Sequence, residues 1–142
     1  MNLDVVWKLI AVLCKALRWM TKLTPKRGVF LIVEDDPNDA YLLKRVLSKR
    51  GWESEVAPSG EVAAGLVKHQ KYSGCFIDMR LPNMSGAALL RVLSNDAPNA
   101  QIVIVCGDAR DLEMIPSSQF ICVIKKPADL EAIEDMLKRL KL

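Results

Sequence analysis

The chain has 142 residues, of which 51% are hydrophobic and 26% are charged, and its formal net charge is +3. This length and composition predict one soluble globular domain with a short appendage. The four cysteines show neither CxxC nor Cys/His spacing, which disfavours a disulfide framework and a zinc site and favours a reduced, cytoplasmic compartment.

The basic charge is concentrated at the beginning of the chain. Residues 1–28 contain six Lys/Arg and one acidic residue, which leaves 14 basic and 16 acidic residues in the rest. Residues 3–22 are predicted to form one amphipathic helix, because apolar residues recur at alternating steps of three and four. The residues of this heptad seam are Leu3, Val6, Ile10, Leu13, Leu17 and Met20. Charged residues interrupt the segment too often for a membrane span of about 20 apolar residues.

The apolar face of this helix needs a cover, and the sequence leaves three candidates open. They are a partner helix in a homo-oligomer, an anionic membrane surface, which would make the protein peripheral to a membrane, and the chain's own domain. Nucleic acid is not an expected partner, because no DNA-binding motif accompanies the basic stripe. Residues 24–28 are predicted to be a linker, so that residues 1–27 form the helix and linker and residues 28–142 form the domain.

From residue 29 onward, short β-branched runs alternate with helical patterns. The predicted strands are residues 29–33, 53–57, 75–78, 102–106 and 120–124. The predicted helices follow them near residues 37–50, 59–69, 85–95, 109–115 and 128–140. The first of these helices has the clearest signals, with Asp36 as N-cap, Pro37 at the first helical position and Gly51 as the stop.

This alternation predicts an α/β fold. Strand-helix-strand crossovers are right-handed and bury a parallel sheet between helical layers. We expect a flavodoxin-like doubly wound (βα)5 fold with a five-stranded parallel sheet in the order 2-1-3-4-5, preceded by the amphipathic helix. In such a sheet, ligands bind at the carboxyl ends of strands one and three.

Charged side chains occupy those strand ends. Glu34 and Asp35 follow the first strand, Asp78 ends the third, and Lys126 precedes Pro127 after the fifth. Three neighbouring carboxylates repel one another unless they share a cation, and an all-oxygen ligand set favours Mg²⁺. Asp78 would then be a nucleophile toward a phosphoryl group, with Mg²⁺ and Lys126 offsetting the charge on the transferred oxygens.

Three motifs resemble the receiver domain of two-component response regulators, over roughly residues 28–141. In order, they are Phe-Leu-Ile-Val-Glu-Asp-Asp-Pro at residues 30–37, Asp-Met-Arg-Leu-Pro-Asn-Met-Ser-Gly at residues 78–86, and Lys126-Pro127. The resemblance implies that Asp78 is the phosphoacceptor and that Glu34 and Asp35 are the acidic pair, with Asp35 a direct metal ligand. It also implies that the backbone carbonyl of Arg80 is a ligand of the metal.

The resemblance further implies a role in phosphorelay signal transduction. The phosphoryl donor would be a histidine kinase or a phosphotransfer protein. No effector domain follows the last predicted helix, so output is expected through contact with a downstream protein. Phosphohydrolases that use an aspartyl nucleophile carry a second Asp two residues later, whereas this chain has Arg80 there. Turnover of small substrates is therefore not expected.

Two positions depart from the family pattern. Cys106 stands where the family usually has Ser or Thr, and a thiol is a weak hydrogen-bond donor, although Cys106 can equally be a small buried hydrophobe. Val123 stands where an aromatic residue is usual. Phosphorylation is therefore expected to produce a modest structural response. The alternative is a pseudo-receiver that acts as a scaffold or oligomerisation module with little phosphorylation-dependent switching. Arg80 and Asp108 are expected to flank the pocket mouth and slow attack by water.

Overall fold

The computed structural model describes residues 2–22 and 27–142. The predicted N-terminal helix is present as α1, Leu3–Lys22. No helix among the described residues is long and apolar enough to cross a membrane. Residues 24–26 of the predicted linker lie outside the described residues, and the predicted division of the chain at residues 27 and 28 stays a prediction.

The predicted fold is confirmed. Within the described residues, five strands form one parallel sheet in the order β2-β1-β3-β4-β5. The strands are β1 (Val29–Val33), β2 (Glu53–Ala57), β3 (Gly74–Asp78), β4 (Gln101–Cys106) and β5 (Cys122–Lys125). The helices that flank the sheet are α2 (Pro37–Lys49), α3 (Gly60–His69), α4 (Gly86–Asp96) and α5 (Leu130–Arg139).

Side-chain caps fix where these helices begin. The side chain of Asp36 accepts hydrogen bonds from the backbone N–H groups of Asn38 and Asp39, at 2.7 and 3.3 Å. Ser59 and Ser85 cap α3 and α4 in the same way. Such caps satisfy backbone donors that have no partner within the helix. The predicted starts of the helices near residues 37, 59 and 85 are therefore confirmed.

The core lies on both faces of the sheet, as β1 illustrates. Phe30 and Ile32 pack into an apolar cluster with α2 and α5. Leu31 and Val33 point to the opposite face and pack with α3 and α4. Successive side chains of a strand alternate between faces, so a strand buried on both sides is apolar along its whole length. Polar side chains are then confined to the strand ends.

The connection between β4 and β5 differs from the prediction. A short α-helix was expected near residues 109–115, but this segment contains a 3-10 helix at Ala109–Leu112, and a second follows at Ser117–Gln119. The segment is short and is followed directly by Pro116, which cannot continue an α-helix. The fourth crossover is therefore shorter than the others, and β5 begins at Cys122 rather than Phe120.

Candidate functional site

Three carboxylates meet at the carboxyl ends of β1 and β3, as predicted. Val33 pairs with Ile77 in the sheet, so the residues that follow on each strand lie side by side. Glu34, Asp35 and Asp78 each offer a carboxylate oxygen, and these oxygens all lie within 4.8 Å of one another. Glu34 and Asp78 are buried, at 3% and 6% exposed, whereas Asp35 is exposed to solvent. The cluster therefore has one open side.

Lys126 brings a cation to this cluster from the far side of β4. Its Nζ lies 2.9 Å from Oδ2 of Asp78 and 3.0 Å from Oε2 of Glu34. The peptide bond between Lys126 and Pro127 is cis. A third carboxylate, that of Asp39, lies 3.2 Å from the same Nζ. Asp39 was not among the predicted site residues, although an acidic residue in the first turn of the helix that follows the acidic pair is a usable signal.

Burial controls the ionisation of this site. Removal of Glu34 from water raises its pKa to about 7, against the opposing hydrogen bonds from the backbone N–H of Asp36 and from Lys126. Partial burial of Lys126 lowers its pKa, but hydrogen bonds to Asp78, Glu34 and Asp39 outweigh that effect, so its pKa is raised overall. Lys126 therefore stays charged at neutral pH while Glu34 titrates there. A bound cation would favour the ionised form of Glu34.

The donor set fits a hard divalent cation. Glu34, Asp35 and Asp78 supply only oxygen ligands, and Mg²⁺ is bound in proteins by one or two carboxylates together with waters and phosphate oxygens. The exposed Asp35 leaves a route by which an ion can enter. The backbone N–H of Arg80 donates to Oδ1 of Asp78 at 3.0 Å, which fixes the orientation of that carboxylate. The predicted role of the Arg80 carbonyl as a ligand stays a prediction.

Gly86 allows α4 to begin directly beneath the Asp78 loop. A Cβ atom on this residue would lie 2.8 Å from the Cα of Met79 and 3.0 Å from the carbonyl oxygen of Asp78. The backbone N–H of Gly86 donates to the carbonyl of Met79 at 3.3 Å. The sequence analysis included Gly86 only as the last residue of a motif. Its close approach to backbone identifies it as a residue that positions the loop.

Cys106 and Val123 lie on β4 and β5, the two strands beyond β3 in the sheet. Cys106 ends β4, is 4% exposed and belongs to the apolar cluster that contains Ile104. Burial raises the pKa of its thiol. Val123 on β5 is partly buried and pairs with Ile104 in the sheet. The effects of both residues on switching stay predictions.

The Arg80 side chain is held by the segment after β4. Its Nη2 lies 3.4 Å from Oδ2 of Asp108, which confirms that these two predicted neighbours face each other. A closer contact, 3.0 Å from Nε to Oδ2, is made with Asp111 in the first 3-10 helix. Asp111 was not predicted as a partner of Arg80. The Arg80 side chain is 66% exposed, so the ion pair is accessible to solvent and salt.

Comparison with known proteins identifies the family. Residues 30–138 match the model of the response regulator receiver domain. The chain belongs to this family. As a receiver, it is a component of two-component phosphorelay signalling, and receivers are signalling modules rather than enzymes that act on small substrates.

Curated relatives of this receiver include signalling proteins of different lengths. A response regulator receiver protein from Anaeromyxobacter sp. (strain Fw109-5) is 30% identical over 75% of this chain and 46% of its own length. The receiver thus spans about half the length of that relative. Sporulation initiation phosphotransferase F from Bacillus subtilis (strain 168) is 28% identical over 77% of this chain and 90% of its own length.

Solved structures show the same fold as this receiver. A CheY-like response regulator receiver domain from Methylobacillus flagellatus is 30% identical, with a TM-score of 0.70 over 79% of this chain and 97% of its own. The response regulator TrrA from Thermotoga maritima, solved in complex with Mg(2+)-BeF, is 23% identical, with a TM-score of 0.69 over 79% of this chain and 97% of its own. At that identity, TrrA supports the fold alone.

Proposed function

We propose that Asp78 accepts a phosphoryl group from a phosphohistidine of a histidine kinase or a phosphotransfer protein. A carboxylate oxygen of Asp78 attacks the phosphorus atom and forms an O–P bond, while the P–N bond to histidine breaks and the imidazole leaves with the electron pair. The observation that carries this proposal is the 2.9 Å contact between Asp78 and Lys126 within a cluster of three carboxylates.

The neighbouring residues orient Asp78 and offset charge. The ammonium group of Lys126 stabilises the negative charge that builds up on the transferred oxygens. Glu34 and Asp35 would hold Mg²⁺ together with Asp78, with Asp35 a direct ligand and the Arg80 carbonyl a further one. When bound, Mg²⁺ neutralises the carboxylates and polarises the phosphoryl oxygens. The backbone N–H of Arg80 holds Oδ1 of Asp78, which leaves Oδ2 beside Lys126.

A phosphorylated receiver is favoured over a pseudo-receiver scaffold. Acceptor, acidic pair and lysine all lie within one cluster, which a scaffold does not require. The buried thiol of Cys106 and the aliphatic Val123 support a modest structural response rather than the loss of phosphorylation. Turnover of small phosphate esters is not part of the proposal, because Arg80 occupies the position where an acidic group would protonate a leaving group.

The proposal also includes how the receiver passes on its signal and where in the cell it acts. We infer a cytoplasmic receiver that passes its signal by contact with a downstream protein. Exposed apolar side chains in the connection between β4 and β5 support such a contact, since Met114 is 90% exposed and Ile121 is 46% exposed. Association of two copies through α1 is one of the three covers that the sequence pattern leaves open.

Phosphorylation by a small P–N donor tests the role of Asp78. Phosphoramidate with Mg²⁺ should add one phosphoryl group to the wild-type protein, as measured by intact mass, and none to the Asp78→Asn variant. Asp35→Asn should slow the reaction strongly. Asp36→Asn is the matched control, because asparagine still caps α2 and should leave the rate unchanged. A phosphorylated Asp78→Asn protein would contradict the proposal.

A beryllofluoride titration separates the receiver from the pseudo-receiver. Beryllofluoride mimics a phosphoryl group on a carboxylate, so the receiver should show Mg²⁺-dependent changes in the amide resonances around Asp78. The pseudo-receiver predicts no such change. Asp36→Asn again serves as the control that should respond like the wild type.

A further inference from the structure

The apolar side chains of α1 are exposed to solvent along the helix. Nine of them have exposed fractions between 42% and 74%: Leu3, Val5, Trp7, Leu9, Ile10, Val12, Leu13, Leu17 and Met20. Contiguous apolar surface of this extent is rare on proteins that act as free monomers. The apolar face of α1 is therefore expected to be covered in the functional protein. The pattern of apolar and charged positions on the helix indicates what kind of surface covers it.

The apolar face is too wide for a pair of helices. At 3.6 residues per turn, the apolar positions of α1 occupy about 240° of its circumference. A two-helix seam uses the a and d positions, here the seam from Leu3 to Met20, and covers only the residues beside them. Val5 and Val12 occupy position c, which faces away from that seam, and they are 47% and 64% exposed. A partner helix would leave them in water.

The charged face of α1 is narrow and basic. Lys8 and Lys15 are seven residues apart, which places them in line on the side opposite the centre of the apolar face. Asp4 is the only acidic residue in the helix sequence. In coiled coils, charged residues at the e and g positions select the partner helix. In α1 these positions carry no charged residue. They are occupied by Trp7, Leu9, Cys14, Ala16 and Thr21.

We propose that α1 lies in the plane of an anionic lipid surface and holds the receiver there. A flat apolar medium covers an arc of this width, position c included, which a single partner helix does not. Lys8 and Lys15 would contact the anionic headgroups while the opposite face enters the boundary between headgroups and acyl chains. The complementary charge of the headgroups selects lipid over a second basic copy of α1. This inference does not depend on the chemistry of Asp78.

Co-sedimentation of the full-length protein with vesicles tests this proposal. The protein should bind vesicles of phosphatidylcholine that contain about one third phosphatidylglycerol, and it should bind pure phosphatidylcholine vesicles much more weakly. Tryptophan emission should shift to shorter wavelength on binding, because Trp7 is 67% exposed in the free protein. Absence of binding, or equal binding to both vesicles, would overturn the proposal.

Charge variants test the basic stripe. Lys8→Gln with Lys15→Gln should weaken binding to the anionic vesicles about 30-fold, because each basic residue near an anionic surface contributes about 1 kcal/mol. The matched control is Lys68→Gln with Lys71→Gln, which removes the same charge from exposed positions outside α1 and should bind like the wild type. Equal losses in both double variants would overturn the proposal.

A variant at position c distinguishes lipid from a second copy. Val5→Glu with Val12→Glu places two carboxylates on the apolar face but outside the helix-pair seam, so vesicle binding should fall at least about 30-fold. The thermal transition of the receiver should stay unchanged, which shows that the variant folds. A dimer in analytical ultracentrifugation that persists in this variant, with vesicle binding also unchanged, would assign the face to a second copy and overturn the proposal.

Discussion

The charged cluster at the carboxyl ends of β1 and β3, which Lys126 completes from the end of β5, differs in its chemistry from the end of β4 and the segment that follows it. On the first side, Glu34 and Asp78 are buried and share one ammonium group at 2.9–3.0 Å. On the second side, β4 ends in a buried thiol, and the following segment holds Arg80 through solvent-exposed ion pairs. Buried charge pairs are strongly coupled, whereas exposed ones are screened.

Accepting a phosphoryl group and responding to it therefore have separate physical requirements. Acceptance depends on fixed charges at the ends of fully buried strands. The response depends on donors and contacts in the connection between β4 and β5, and there the receiver has Cys106 and short 3-10 helices. Substitutions on the first side should therefore change reaction rates and stability more than substitutions on the second.

The largest effect is expected at Lys126. Lys126→Met removes the cation beside Asp78 while it keeps most of the apolar stem, so phosphorylation by phosphoramidate should slow about 100-fold. The rate is measured by intact mass against time. Lys125→Met is the matched control, because Lys125 is exposed and its loss should leave the rate unchanged. Similar rates in both variants would contradict the assignment of Lys126 to the site.

The pH dependence of stability should reveal the burial of Glu34. Between pH 4.5 and about 7, the unfolded chain has lost this proton while the folded protein retains it. The contribution of Glu34 therefore makes the free energy of unfolding fall as pH rises, by at most about 3 kcal/mol. Urea denaturation in EDTA at pH 5 and pH 7.5 measures the fall. This fall in the free energy of unfolding should be smaller in the Glu34→Gln variant.

Glu61→Gln provides the control for this pH experiment. Glu61 is an exposed residue in the first turn of α3, so its substitution should leave the difference between the two pH values as in the wild type. Mg²⁺ should reduce the fall in the wild type, since it binds the ionised carboxylates. A Glu34→Gln protein with the same fall as the wild type would show that Glu34 titrates normally.

The smallest effect is expected at Arg80. Arg80→Ala opens the mouth of the site and should speed the loss of the phosphoryl group to water about threefold, a small change because exposed ion pairs are screened by salt. Radiolabelled phosphoprotein measures the rate. Arg110→Ala is the control, because the Arg110 side chain also bonds Asp108 but belongs to the 3-10 helix rather than to the loop after Asp78. Equal rates in Arg80→Ala and the wild type would remove Arg80 from this role.

Local signals were enough to predict the sheet and most helices. The Asp36 cap and Pro37 mark the start of α2, and the predicted bounds of β1 and β2 are those that the structure confirms. The order of the strands then brings Glu34, Asp35 and Asp78 together without any knowledge of side-chain contacts. These predictions succeeded because each depends on a backbone rule that the rest of the fold does not oppose.

The contacts that were missed depend on elements distant in sequence. Asp39 meets Lys126 only because β5 lies beyond β4, and Asp111 meets Arg80 only because the segment after β4 is 3-10 rather than α-helical. The wrong helix at residues 109–115 has the same origin. Its sequence permits a helix, but the conformation of so short a segment is decided by how Leu112 and Ile115 pack against the core.

The sharing of one ammonium group among three elements has a mechanical consequence. Lys126 ties together the end of β1 through Glu34, the first turn of α2 through Asp39 and the end of β3 through Asp78. A phosphoryl group on Asp78 would compete with the Asp39 carboxylate for Nζ, and Asp39 is the most exposed of the three. Phosphorylation of Asp78 would therefore loosen the start of α2. This structural response would need neither a hydroxyl group on β4 nor an aromatic ring on β5.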